Sequence, residues 1–196
     1  MERIIFCASM CAVSSACGFL CARAAGRRCG AENVRIAEMI CALIAPLLAA
    51  FLCLRFADPG RVTRGMLIIL VLIYASVSDA FSRECPDSVH ACLLLCAFAG
   101  RSMPDVTGAL FSLLPVILML AVSLALPPDR RPGGADIKIC AAYAAAAGSA
   151  GTAGMALGML SGAIGGYAFN RIRREPGGAF PLIPFLGAGF AAALFI

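Results

Sequence analysis

Apolar residues fill this chain in long, continuous runs that short polar connections separate. The runs are rich in Ala, Leu and Gly and do not alternate with polar residues as the strands of a membrane barrel do. A helix needs about 20 apolar residues to cross a bilayer. The pattern therefore predicts an all-α, polytopic membrane helix bundle with about eight transmembrane helices. The eight segments are 4–22, 36–54, 65–82, 88–100, 106–126, 135–147, 151–169 and 180–196, of which 88–100 and 135–147 are short enough to be re-entrant instead.

Composition identifies lipid as the solvent of this chain. Hydrophobic residues make up 61% of it and charged residues only 14%, whereas soluble domains carry about 25% charged residues. In a bilayer every backbone polar group must be bonded within a helix or a closed barrel. The connections are too brief for an extramembrane domain, so we expect residues 1–196 to form a single membrane domain.

The charge distribution predicts an orientation. The net charge is +5, and the arginines lie mostly between apolar runs without interleaved aromatic residues, so we expect contact with a lipid bilayer and not with nucleic acid. With eight spans, ten arginines fall on the side of the odd-numbered loops and five on the other. The odd loops should therefore face the cytoplasm, with both termini outside. Residues 1–3 have no net side-chain charge, so we expect segment 4–22 to be a retained helix and not a signal peptide.

The cysteines and glycines of the apolar runs predict packing and not chemistry. Most of the 11 cysteines lie within these runs, and no pair of CxxC motifs exists. We therefore expect these cysteines to pack as small hydrophobic side chains, and we expect no disulfide framework and no metal or other cofactor. Four glycines recur every four residues in the seventh segment, which predicts close approach of a neighbouring helix. These are Gly154, Gly158, Gly162 and Gly166.

Two acidic residues stand at the edges of apolar segments. Asp79 ends the third segment and Asp136 begins the sixth, so both should lie at the cytoplasmic boundary of the membrane. Two carboxylates at one depth fit an aspartic protease, in which one activates water and the other, protonated, donates to the scissile carbonyl oxygen. Such a pair requires the two segments to be neighbours. The alternative is that each aspartate caps a helix or pairs with an arginine, and position alone leaves both interpretations open.

Three motifs resemble those of the type IV prepilin peptidases. The stretch DAFSRECPD supplies Asp79, Arg83 and Pro86 where that family has an aspartate, a basic residue and Ile-Pro-Asn. GGADIK resembles the family's Gly-x-Gly-Asp-x-Lys. FPLIPFLGAG, which contains Pro184, is similar to the start of the family's last helix. The resemblance covers residues 65–196.

The resemblance implies a catalytic pair, Asp79 and Asp136, without a metal. Supporting or substrate-binding positions would be Gly133, Gly134, Ala135, Lys138, Arg83 and Pro184. For Lys138 and Arg83 the alternative is an anchor at the membrane interface. Ala135 stands in place of the second glycine of the family motif. Alanine has less freedom in φ than glycine, so the backbone is more restricted at this position. Glu84, Cys85 and Asp87 also depart from the family pattern and affect the expected substrate preference.

The implied function is a membrane aspartic endopeptidase that removes the leader peptide of type IV prepilin-like precursors at the cytoplasmic face of the plasma (inner) membrane. The zinc-binding and methylating region of larger family members has no counterpart in the short loop 23–35, which implies a stand-alone peptidase. Two other functions stay open. One is a non-enzymatic component of a pilus or secretion assembly, and the other is a small transporter with the aspartates as a proton relay.

Overall fold

The computed structural model describes residues 2–30, 34–98, 106–127, 133–173 and 180–195. Eight helices and no strand occur in these ranges, which confirms the all-α prediction and the number of predicted segments. The helices are α1 (Glu2–Arg28), α2 (Arg35–Arg55), α3 (Pro59–Ser82), α4 (Asp87–Phe98), α5 (Val106–Ala125), α6 (Gly134–Ala147), α7 (Ala150–Arg173) and α8 (Ile183–Ala193).

Four of the helices found in the described ranges are long and apolar enough to cross a membrane, namely α1, α2, α3 and α5. Helices α4 and α8 are apolar but have only 12 and 11 residues, and α6 has 14, below the roughly 17–25 residues of a full span. The prediction of about eight spans thus applies to the number of helices, and length together with apolar composition supports crossing for four of them. Helix α7 has 24 residues, which is long enough, but it is not among these four. The short α4 and α6 coincide with the segments for which a re-entrant course was left open.

Helix α3 is central to the packing and has a defined start and end. Asp58 caps its N-terminus by accepting hydrogen bonds from the Gly60 and Arg61 backbone N–H groups, at 3.1 and 3.2 Å, and Pro59 fills the first turn, as proline does at helix starts. The helix ends where Arg83 adopts a left-handed φ of 57°. Along its length α3 contacts α1, α2, α4 and α8.

The predicted glycine seam of α7 packs against α8 within the same chain. A Cβ added to Gly158 would lie 2.8 Å from the Cα of Leu186, and one added to Gly154 would lie 3.0 Å from the ring of Phe190. Gly162 and Gly166 continue the seam toward Leu182 and Phe180. The intramolecular interpretation of these glycines is therefore correct.

Interhelical contacts sort the helix ends into two groups. At one end, the side chain of Arg3 donates to the carbonyl of Cys53, and that of Arg55 donates to the carbonyl of Phe195. At the other end lie the C-termini of α1 and α3 and the N-termini of α4, α6 and α8. We call this second group the aspartate end, because both Asp79 and Asp136 lie there. Four arginines used in the orientation count, Arg101, Arg130, Arg131 and Arg174, lie outside the described residues.

Candidate active site

Asp79 lies in the last turn of α3 and is buried, with 7% of its surface exposed. Its Oδ2 accepts a hydrogen bond from the backbone N–H of Ile183 at 3.0 Å. Ile183 is the first residue of α8, and the N-cap residue Leu182 makes no side-chain cap. Asp79 therefore caps α8 from a distant part of the chain, satisfying one of the N–H groups that the start of a helix leaves unpaired.

Asp136 lies at the third position of α6 and is half-buried. Its Oδ2 accepts from the Gly133 backbone N–H at 3.1 Å, while its own N–H donates to the Gly133 carbonyl at 3.0 Å. The bond from the Gly133 N–H to the Asp136 side chain is one of the two hydrogen bonds of a capping box. Glycine has no side chain with which to make the other. The helix-cap interpretation is thus correct for both aspartates. It does not exclude chemistry, because each cap uses Oδ2, and the described residues provide no hydrogen-bond partner for either Oδ1.

The two carboxylates lie at the same end of the bundle, and the charge of Asp79 acts on the carboxyl group of Asp136. The thiol of Cys85, in the α3–α4 connection, is within electrostatic range of both. The expected neighbour relation between the third and sixth segments holds through side chains and not through close backbone packing. Over the described residues α3 and α6 have no direct backbone packing, and both pack against α4 and α8. Their side chains meet in a shared core that includes Leu72 and Ile139.

The residues that precede Asp136 leave space on one side of the site. A Cβ added to Gly134 would meet no atom within 4 Å among the described residues, and both Gly133 and Gly134 are exposed. Ala135 is half-buried and packs against the core that α3, α4, α6 and α8 share. The GGA segment therefore presents bare backbone beside Asp136, which is compatible with an extended peptide lying there.

Lys138 points away from the aspartate pair. Its Nζ donates to Oδ1 of Asp87 at 2.9 Å and so joins the starts of α6 and α4. Asp87 precedes the apolar segment 88–100, and the hydrogen bond from Lys138, followed by its charge, lowers the pKa of this carboxyl group. His90 lies one turn further along α4 and is buried, with Nδ1 3.7 Å from the same oxygen. Lys138 is thus placed to fix the relative position of α4 and α6.

Arg83 and Pro184 flank Asp79 on two sides. The backbone N–H of Arg83 donates to the carbonyl of Asp79 at 2.9 Å, and its exposed side chain lies within electrostatic range of that carboxylate. Arg83 is the only non-glycine residue with a positive φ among those described, and unusual backbone conformations concentrate at functional sites. Pro184 follows Ile183, the donor to Asp79.

Two features of the site were not predicted from the sequence. The first is the Ile183 N–H, because a backbone donor leaves no trace in residue type. The second is Cys85, for which a departure from a family motif was the available signal. No group of three or more His, Cys, Asp or Glu side chains in the described ranges could hold a metal ion.

Comparison with known proteins identifies one family. The model of the type IV leader peptidase family matches residues 66–196, a range that contains all the site residues described above. No curated protein and no solved structure matches the chain.

Proposed function

Because this chain belongs to the type IV leader peptidase family, we propose that it is an aspartic endopeptidase of the membrane with Asp79 and Asp136 as its catalytic pair. The observation that carries the proposal is the convergence of the two carboxylates. They are 57 positions apart in sequence, yet both lie at one end of the bundle, where Asp79 binds the start of α8 and Asp136 lies at the start of α6. Family membership supports peptidase activity in general, and this geometry supports the aspartic type.

The proposed mechanism uses both carboxylates on one water molecule. The ionised aspartate accepts a proton from water, whose oxygen attacks the scissile carbonyl carbon. The protonated aspartate donates to the carbonyl oxygen. The resulting tetrahedral intermediate breaks its C–N bond as the nitrogen takes up the proton that the first aspartate received from water, and the second aspartate regains its proton as the carbonyl re-forms. Since backbone N–H groups of α8 and α6 orient each carboxylate through Oδ2, the Oδ1 atoms are available for the water and the substrate.

The proposed substrate is a type IV prepilin-like precursor, which has a short basic leader followed by a hydrophobic helix. Its scissile bond would lie at the junction of these two parts, at the depth of the aspartate pair. Arg83, Gly133, Gly134 and Ala135 would contact the chain on either side of that bond. Lys138 would support the site through Asp87, and the reaction would serve pilus or secretion assembly at the plasma membrane.

Cleavage of such a precursor in the presence of a chelator tests the proposal. Membranes that contain the enzyme should release the leader from a prepilin-like precursor, as detected by a mass decrease. The rate should be unchanged in excess EDTA, because a two-aspartate mechanism uses no metal. Loss of activity that added Zn²⁺ restores would exclude this mechanism, and no cleavage at all would exclude the activity.

The cytoplasmic location of the site is testable through the helix connections. A reporter inserted after Gly30, at the aspartate end, should be active only in the cytoplasm. One inserted after Ala57, at the opposite end, should be active only outside. Both insertion points lie in exposed connections next to helix ends, so the bundle should tolerate them. The reverse pattern would place the aspartates on the outer face and contradict the proposed orientation.

A further inference from the structure

An apolar groove runs along α3 between α2 and α8. Its volume is about 490 Å³, and every residue that lines it is uncharged. Helix α2 contributes Ala37 and Ile44, α3 contributes Ile73 and Phe81, and α8 contributes Ala188. Ile44 and Phe81 are 42% and 39% exposed, so the groove is open at the side of the bundle. In a membrane protein, this opening faces lipid.

The groove begins at the candidate active site. One of its lining residues, Ala80, directly follows Asp79, and another, Pro184, directly follows the residue whose N–H binds Asp79. From there the lining extends along α3 as far as Ile69. Twelve residues of helix correspond to about 18 Å at 1.5 Å per residue. The groove is therefore long enough to extend from the membrane boundary slightly past the middle of a hydrocarbon layer about 30 Å thick.

Resting on the proposed function, we propose that this groove binds the hydrophobic helix of the precursor and so places the adjoining scissile bond at the aspartate pair. The wall from α8 is built of small residues, among them Gly187, Ala188 and Ala191. Small residues allow the backbone of a second helix to approach closely, which is how helices associate in lipid. The groove takes one ridge of side chains from such a helix, as in ridges-into-grooves packing.

Continuity with the site favours a substrate helix over a lipid acyl chain. The hydrophobic helix of a precursor adjoins its scissile bond, and the uncharged groove adjoins the aspartate pair. The end of the bundle that holds the aspartates also carries Arg28, Arg83 and Lys138, so its charge is mixed and the argument rests on position. One molecule can therefore occupy the groove and the site at once.

One wall of the groove comes from outside the region that the family model matches. That match begins at residue 66, whereas α2 ends at Arg55 and supplies five lining residues, Ala37, Ile40, Cys41, Ile44 and Leu48. The catalytic residues and the α3 and α8 walls lie within the match. Helix α2 therefore adds a substrate-selecting surface to the catalytic core of the family.

A bulky substitution in the groove, assayed with two substrates, tests the assignment. Ala188→Phe places a ring in the groove at an exposed position. It should lower cleavage of the full precursor about tenfold or more, while cleavage of a soluble peptide that carries the leader and the scissile bond but no hydrophobic helix stays at the wild-type rate. Ala192→Phe is the matched control. Ala192 is exposed one turn further along α8 and does not line the groove, so this variant should cleave both substrates normally.

Each other outcome overturns the assignment. If Ala188→Phe cleaves both substrates at the wild-type rate, the groove does not bind the helix. If it slows both equally, with rates normalised to the amount of folded enzyme, position 188 acts on the catalytic site and not on helix binding, and the assignment is wrong. If the wild-type enzyme cleaves neither substrate, the proposed peptidase activity itself is wrong.

A second measurement leaves the enzyme unaltered. A photoreactive residue in the hydrophobic helix of the precursor should cross-link to α2 or α8 at the groove residues, as located by mass spectrometry. Adducts confined to lipid or to other helices would contradict the proposal.

Discussion

Asparagine in place of either Asp79 or Asp136 will reduce cleavage of a prepilin-like precursor by about 10³-fold or more. Neither remaining carboxylate can act as both the base for water and the acid for the carbonyl oxygen. Folding should be unaffected, because the asparagine side-chain oxygen can still accept the hydrogen bond from Ile183 or from Gly133. The measurement is the rate of leader release, normalised to the amount of enzyme in the membrane. A near-normal rate for either variant would contradict the two-aspartate mechanism.

Two further results should accompany that loss. The double variant should be no less active than either single variant, because each single change already removes the catalytic unit. Asp58→Asn is the matched control. Asp58 caps α3 at the opposite end of the bundle, and asparagine caps as well as aspartate does, so this variant should retain wild-type activity and abundance.

The wild-type pH profile should be bell-shaped. Activity requires one ionised and one protonated carboxyl group. It should therefore fall at low pH, where both are protonated, and at high pH, where both are ionised. A profile that is flat across the range where carboxyl groups titrate would contradict a shared-proton pair.

The sequence predicted the helices well because their signal is local. Uninterrupted apolar runs set the eight elements, and the four-residue glycine spacing of α7 correctly indicated a tight intramolecular interface. The relation between α3 and α6 was not predictable in the same way. Two segments with apolar surfaces can pack backbone against backbone or meet through side chains alone. Here the side chains meet, while both helices pack closely against α4 and α8. Only the tertiary structure distinguishes these arrangements.

The site was predictable as residue types but not as contacts. The positions of Asp79 and Asp136 at segment boundaries, with their surrounding motifs, were sufficient to select them. Nothing in the sequence paired Asp79 with the start of α8, because that hydrogen bond uses the backbone of Ile183. The partner of Lys138 was equally hidden, since its ion pair with Asp87 spans 51 positions.

Arg64 illustrates where counting by sequence position goes wrong. It entered the orientation count as an arginine of the second loop, yet it lies inside α3 with only 8% of its surface exposed. Its guanidinium donates to the carbonyl of Cys96 at 3.0 Å and to the carbonyl of Ala146. Both carbonyls lie in the last turn of a helix, α4 and α6 respectively, where the described residues of the helix provide no backbone donor. The buried guanidinium of Arg64 thus caps the C-terminal turns of α4 and α6, at the end of the bundle opposite the aspartates.

Replacing Arg64 with methionine should therefore destabilise the fold by about 3 kcal/mol, because each carbonyl left without a donor costs roughly 1–3 kcal/mol. Thermal unfolding in detergent can be followed with a thiol-reactive dye, since Cys140 is fully buried in α6 and should react when the bundle opens. The midpoint temperature should drop clearly for Arg64→Met. Arg61→Met is the matched control on the same helix. The side chain of Arg61 is exposed and forms a long 3.9 Å ion pair with Asp58, and such pairs contribute about 0–1 kcal/mol. Equal midpoints for the two variants would show that Arg64 does not hold the ends of α4 and α6.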